Sequence, residues 1–286
     1  MGKSDADEAP TDARSVPVDA ALVTFPPGET LCIEHGAVSV DIAPEAGGRV
    51  AQIRCDGIEW LQGYSDDSAA MIAWGCFPMV PWAGRVRRGR FDFAGSPHQL
   101  PVNLGPHAIH GLGFALPWRV EAQSSHRVDL SLQLPEDARW PFGGRAIHRI
   151  EAGARSLRMT LSLRAGAHAM PAVIGWHPWL YKPERVDFTP SLCYPRDAED
   201  IATLPLCSPP PPPWDDCFVN HRPILVRRAG QTLRLTSGCG HWVIYDELAN
   251  VTCIEPQTGP PDAFNIEPAL LVPGATCSAW FQWEWL

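Results

Sequence analysis

Two short stretches of this chain set a proton-transfer group among residues that stiffen the backbone. One is Gly175-Trp176-His177-Pro178-Trp179. The other is Ile254-Glu255-Pro256-Gln257-Thr258-Gly259-Pro260-Pro261-Asp262-Ala263. Proline fixes φ and removes a hydrogen-bond donor, so such stretches form rigid loops and strand ends rather than helices. A histidine and a glutamate held at rigid points can give and take protons on one small molecule near neutral pH. Two further stretches share this style. Residues 75–89 carry Trp82 and Arg85, and residues 107–111 carry His110 before a glycine that permits close backbone approach. Trp82 and Trp176 beside these polar groups suit the apolar faces of a sugar ring. Against that reading stands the ordinary use of tryptophan as core.

The elements that would position these groups read as β-structure. Thirty prolines and 24 glycines in 286 residues argue against a helical protein. Residues 32–42 alternate apolar and polar like two strands joined at His35-Gly36, and residues 47–57 form another strand ending in an Asp-Gly turn. Residues 90–95, 118–122, 127–134, 146–151 and 156–164 repeat the alternation. Short strands with turn signals between them predict an all-β, antiparallel sandwich or barrel. The polyproline run at 209–213 reads as a stiff surface spacer. Residues 1–20 read as a disordered tail and residues 21–286 as a single domain, since sandwiches of this length often do not divide.

Composition narrows the partners. A net charge of −9 argues against nucleic acid, which demands a basic face. Lys3 and Lys182 are the only lysines, so cationic recognition falls to arginine, with its planar set of donors. No run approaches the roughly 20 apolar residues of a membrane span. The first 16 residues lack the apolar stretch of a signal peptide. Nine cysteines, none at metal-knuckle spacing, read as buried, reduced thiols of a cytoplasmic protein. The expected partner is one small sugar, with no cofactor and no metal, on a monomer or homodimer.

Four strings in order carry a resemblance. They are Gly75-Cys76-Phe77-Pro78-Met79-Val80-Pro81-Trp82-Ala83-Gly84-Arg85-Val86-Arg87-Arg88-Gly89, Ala108-Ile109-His110-Gly111, and the His177 and Glu255 strings above. Together they resemble the aldose 1-epimerase (galactose mutarotase) family, over roughly residues 28 to 285. Trp140-Pro141-Phe142 and Leu271-Val272-Pro273-Gly274 are similar to further family segments. The resemblance implies one large twisted β-sandwich with a sugar site in an open cleft on one sheet. It implies that Glu255 takes the C1 hydroxyl proton and His177 protonates the ring oxygen. It implies that Arg85 and His110 bind substrate and stabilise charge, and that Asp215, before Asp216-Cys217-Phe218, holds a sugar hydroxyl, with Asp216 a close competitor. In the better-known branch an Asn precedes both Arg85 and His177. Here Gly84 and Trp176 stand there, which marks a divergent bacterial branch.

Three other readings are open at this level. A cupin-type metal enzyme would use His107, His110, His177 and Glu255 as ligands, yet residues three apart on a strand face opposite ways. A non-catalytic sugar-binding module would keep the aromatics and Arg85 without needing both His177 and Glu255. An epimerase of hexose 6-phosphates would need several cations converging. Arg87, Arg88 and Arg90 read instead as a solvated cluster flanking the turn at Gly89.

Overall fold

The computed structural model describes residues 19–286. Two-residue periodicity governs its layers. Ser156–Arg164 buries Leu157, Met159, Leu161 and Leu163. Its neighbour Thr276–Trp285, paired residue for residue along it, buries Ala279, Phe281, Trp283 and Trp285. Alternate side chains thus enter one interior, as the pleat dictates. These two strands centre an eight-stranded sheet. Its spatial order is Arg119–Gln123, Arg127–Gln133, Arg145–Gly153, Ser156–Arg164, Thr276–Trp285, Gln231–Ser237, Ile224–Arg228, Arg185–Asp187.

A ten-stranded sheet packs against it. Its main path is Leu31–His35, Val38–Ala43, Arg49–Cys55, Cys76–Met79, Gly175–Tyr181, Val251–Gln257, His241–Tyr245, Asp215–Val219, Leu192–Tyr194, and Ile58–Glu59 pairs beside Arg49–Cys55. Pairing within both sheets is antiparallel. The layers meet through large rings. Phe281 of the eight-stranded sheet lies 5.9 Å from Trp176 and 5.8 Å from Trp242 of the other. One continuous apolar core joins the inner faces.

This is the sandwich that the alternation predicts. The first hairpin is Leu31–His35 with Val38–Ala43, and Asp56-Gly57 makes the turn into Ile58–Glu59. The polyproline run lies between Leu192–Tyr194 and Asp215–Val219. The α-helix Ala263–Ile266 spans four residues, and no helix of the described residues is long and apolar enough to cross a membrane. Two expectations need correction. The disorder expected over residues 1–20 lies outside the described residues as far as 18. Ala20, however, opens the 3-10 turn Ala20–Leu22, where Ala21 is fully buried and its N–H donates to the Asn103 carbonyl at 3.0 Å. The cysteines are also not uniformly buried: Cys32 and Cys207 are exposed.

Candidate active site

The register of the ten-stranded sheet assembles the site. Gly175 pairs with Gln257 and Trp179 with Cys253, which sets His177 opposite Glu255. Phe77 pairs with His177 on the other side. Val243 pairs with Glu255, and Cys217 with Val243. Directly opposed residues of an antiparallel sheet project from the same face. Phe77, His177, Glu255, Val243 and Cys217 therefore form one row across five strands. Two residues along each strand a second row follows: Trp179, Cys253, Tyr245 and Asp215. Both rows underlie a cavity of about 300 Å³, lined by His177, Glu255, Trp179, Tyr245 and Asp215, among others. That is the lower end of the range for small-molecule sites.

His177 and Glu255 touch at the floor. Nε2 lies 3.2 Å from Oε1, and the side chains are 7% and 4% exposed. The imidazole is stacked against Phe77 at 4.7 Å and against Trp179 at 5.2 Å between centroids. Burial sets the charge state. It drives His177 down to about 3, helped by the Arg49 cation. Burial and the Asp215 charge hold Glu255 well above the usual carboxylate range, against the pull of Arg85. Both shifts run toward the uncharged forms, so burial favours a neutral imidazole beside a protonated carboxyl over an ion pair.

Two loops supply the wall. Arg85–Val86 and Ala108–Ile109 form a short ladder, and His110 follows in the left-handed region at φ 59. Its backbone N–H donates to the Gly84 carbonyl at 3.0 Å, and its Nδ1 accepts from the Gly84 N–H at 3.3 Å. A neutral ring accepting at Nδ1 carries its proton on Nε2. Burial, then His177 and Arg85, hold His110 well below its ordinary value, so it stays a neutral donor. Arg85 lies 3.9 Å from Asp215. Asp262 fastens this loop to the one after Glu255: its N–H donates to the Arg85 carbonyl at 2.7 Å, and its Oδ1 accepts from the Arg87 N–H at 2.9 Å.

The structure brings Arg85, His110, His177, Asp215, Asp216 and Glu255 to one cavity. The two tryptophans expected to stack on a sugar are elsewhere. Trp176 is fully buried on the opposite face of the His177 strand, because neighbouring strand residues alternate faces. Its indole N–H donates to His148 Nε2 at 3.1 Å. Trp82 is 2% exposed and packs on Trp140 at 5.9 Å, beneath the Arg85 loop. Neither lines the cavity. Trp179 and Tyr245 take that place. Trp179 was detectable from its spacing of two from His177.

Arg196 and Arg49 had no sequence signal. Arg196 lines the cavity and donates to Asp215 at 2.9 Å, with Asp216 at 3.2 Å from its Nε. It stands on the connection 195–207, whose Asp197 and Glu199 also hold Arg87 and Arg88. Arg87 and Arg88 are therefore engaged by carboxylates rather than freely solvated, while Arg90 is exposed and donates to Gln99 Oε1 at 3.0 Å. Among the described residues, Arg49 is fully buried without a carboxylate partner and donates to the carbonyls of Ala46, Met71, Trp74 and Phe114 at 2.6–3.1 Å. Its guanidinium lies 4.1 Å from the Trp74 centroid and 5.2 Å from that of Phe77, on which His177 stacks.

The four ligands imagined for a metal do not converge. His107 instead accepts the Arg88 backbone N–H at 3.1 Å and does not line the cavity. Among the described residues, the group with ligand atoms within 4.8 Å of one another is His177, Cys253 and Glu255. Burial, then the Glu255 charge, pushes the Cys253 thiol well above its ordinary value.

The family model described as aldose 1-epimerase matches residues 29–216. The uncharacterized protein YphB of Escherichia coli is 30% identical over 51% of this chain and 50% of its own length. YihR of the same organism is 24% identical over 54% and 50%. The chain spans about half the length of the curated relatives it matches. Among solved structures, a galactose mutarotase-like protein of Clostridium acetobutylicum superposes with TM-score 0.80 at 16% identity, covering 90% of this chain and 95% of the other. A galactose 1-epimerase of Lactobacillus acidophilus gives 0.75 at 17%, covering 90% and 94%. These two likenesses establish the sandwich as the fold of galactose mutarotase-like proteins. With more than half of its length matched by the family model and its four motifs on one cleft, the chain belongs to the aldose 1-epimerase family.

Proposed function

We propose that this protein is an isomerase that interconverts the α and β anomers of a free, neutral hexose. The observation that carries this reading is the buried His177–Glu255 contact of 3.2 Å at the floor of the cavity. Mutarotation removes a proton from the C1 hydroxyl and adds one to the ring oxygen. The C1–O5 bond breaks, the aldehyde rotates, and closure on its other face reverses both transfers. Two groups sharing one proton suffice.

Glu255 as base and His177 as acid require a carboxylate and an imidazolium. Burial favours the reverse distribution, with the proton on Glu255. Hydroxyls donating to the Glu255 carboxyl favour its ionised form, and the proton then crosses to His177 Nε2. Ring opening returns it: Glu255 takes the O1 proton and His177 gives its own to O5. The neutral pair that burial favours is thus the pair that accompanies the open-chain sugar. A low-dielectric floor favours that neutral pair over the ion pair of the closed ring, and so lowers the barrier to opening. Arg85 and His110 Nε2–H are donors for sugar oxygens, Asp215 is an acceptor, and Trp179 offers the apolar face.

Charge supports a neutral substrate. The lining holds Asp200, Asp215, Asp216, Glu247 and Glu255 against Arg85 and Arg196. A phosphate dianion would meet more carboxylates than guanidiniums. Polarimetry on freshly dissolved α-glucose, α-galactose and glucose 6-phosphate, with and without protein, tests this. The protein should accelerate the decay of at least one neutral sugar. Its kcat/KM for the phosphate should be at least tenfold lower. A phosphate preference above about tenfold, or 1.4 kcal/mol, would overturn the neutral-sugar assignment.

A further inference from the structure

The connection 195–207 reaches over the cavity edge with Arg196, Asp200 and Ala202, and its root is a pair of cysteines. Cys193 and Cys207 are directly opposed in an antiparallel bridge. Each backbone N–H donates to the other's carbonyl at 2.9 Å. Residues that exchange both bonds have Cα atoms about 5.5 Å apart and side chains on one face. That separation lies at the commonest Cα spacing for a disulfide. The Cys207 thiol is close enough to act electrostatically on that of Cys193. Above this root the chain doubles back on itself: Arg196 bridges Ala202, and the Thr203 N–H donates to the Pro195 carbonyl at 2.8 Å.

We propose that Cys193 and Cys207 are a redox-active pair whose reversible disulfide staples the root of this cavity-edge hairpin. The chemistry is thiol–disulfide exchange with a low-molecular-weight disulfide. Cys207 is exposed and Cys193 is buried, so Cys207 meets the oxidant. Its thiolate attacks one sulfur of the small disulfide, forms a mixed disulfide and releases one thiolate. The Cys193 thiol then loses its proton and attacks Cys207 Sγ, expelling the second. Two cysteine thiols are oxidised, and one small disulfide is reduced to two thiols. Burial pushes Cys193 up to about 12, which makes this second step the slow one.

The staple matters because of what the hairpin holds. Arg196 reaches Asp215 and Asp216, and Glu199 and Asp197 reach Arg88 and Arg87 beside Arg85. Closing the root restricts the hairpin's movement away from the cavity. Any kinetic consequence rests on the proposed function, whereas the bond and the stiffening do not.

The test is to incubate the purified chain with glutathione disulfide, followed by intact mass, peptide mapping and amide exchange. The expected result is loss of two hydrogens, a Cys193–Cys207 cross-linked peptide, and exchange at residues 195–206 slowed at least threefold. Dithiothreitol should reverse all three. Cys207→Ser should show none of them and should retain the exchange rates of the reduced wild type. A cross-link mapping to another pair, no intramolecular bond at all, or a bond that leaves exchange unchanged would overturn the proposal. These readouts do not depend on sugar turnover.

Discussion

At the scale of single residues, the site rests on a buried imidazole–carboxyl contact. His177 is enclosed by Phe77 and Trp179 and faced by Glu255, so the pair's environment disfavours full charge separation. Arg49 adds to this from behind Phe77. A buried guanidinium with carbonyl partners is costly, yet its removal would leave three buried carbonyls, those of Ala46, Trp74 and Phe114, without this donor, at about 1–3 kcal/mol each. The two tryptophans of the His177 strand should separate cleanly in kinetics. Trp179→Ala should lower kcat/KM at least tenfold. Trp176→Phe should keep kcat/KM within about twofold and lower the melting temperature, since its indole serves His148 and the inter-sheet core. A larger catalytic loss for Trp176→Phe than for Trp179→Ala would contradict this placement. The sequence names His177 and Glu255 through the motifs they sit in. It also contains the cue for Trp179, because a spacing of two on a strand means one face. Trp176 lies beside His177 in the chain and for that reason points away from it.

At the scale of elements, left-handed glycines let the loops close on the sheet. Gly84 has φ 68, and a Cβ there would lie 2.7 Å from Pro261 Cβ. An Asn before Arg85 would therefore collide with the loop that follows Glu255, which accounts for glycine in this chain. Gly111 has φ 76, and a Cβ would fall 2.1 Å from the Val80 carbonyl oxygen. That oxygen already accepts the Leu112 and Gly113 N–H groups at 2.8 and 2.9 Å. Gly111→Ala should therefore destabilise the fold by at least about 1–3 kcal/mol, seen as a lower melting temperature. It should also reduce kcat/KM, because His110 is the preceding residue. Unchanged stability and unchanged kcat/KM would show that this backbone is not as constrained as the contacts indicate. The strands were legible from alternation and the turns from Asp-Gly and His-Gly. The 195–207 connection was not. Its contacts, Arg196 to Asp215 and Glu199 to Arg88, join residues 19 and 111 apart, and no local pattern announces them.

At the scale of the molecule, one sheet carries the candidate site and the other supports it. The row from Phe77 to Cys217 exists only because five strands hold a common register, and a slip of one residue would turn His177 into the core. The inner faces fix that register by packing Trp176 and Trp242 on Phe281. The net charge of −9 favours neutral partners only weakly, since salt screens such fields within about 10 Å; the carboxylates lining the cavity are the stronger discrimination. The central claim is that His177 and Glu255 pass a proton between them and the sugar. It is tested most directly by polarimetric kcat at saturating sugar for Glu255→Gln and His177→Asn. Their melting temperatures should be measured alongside to confirm that both variants are folded. Each variant should fall by roughly a hundredfold or more, the usual magnitude for a lost acid or base. Near-normal turnover in either folded variant would contradict the account.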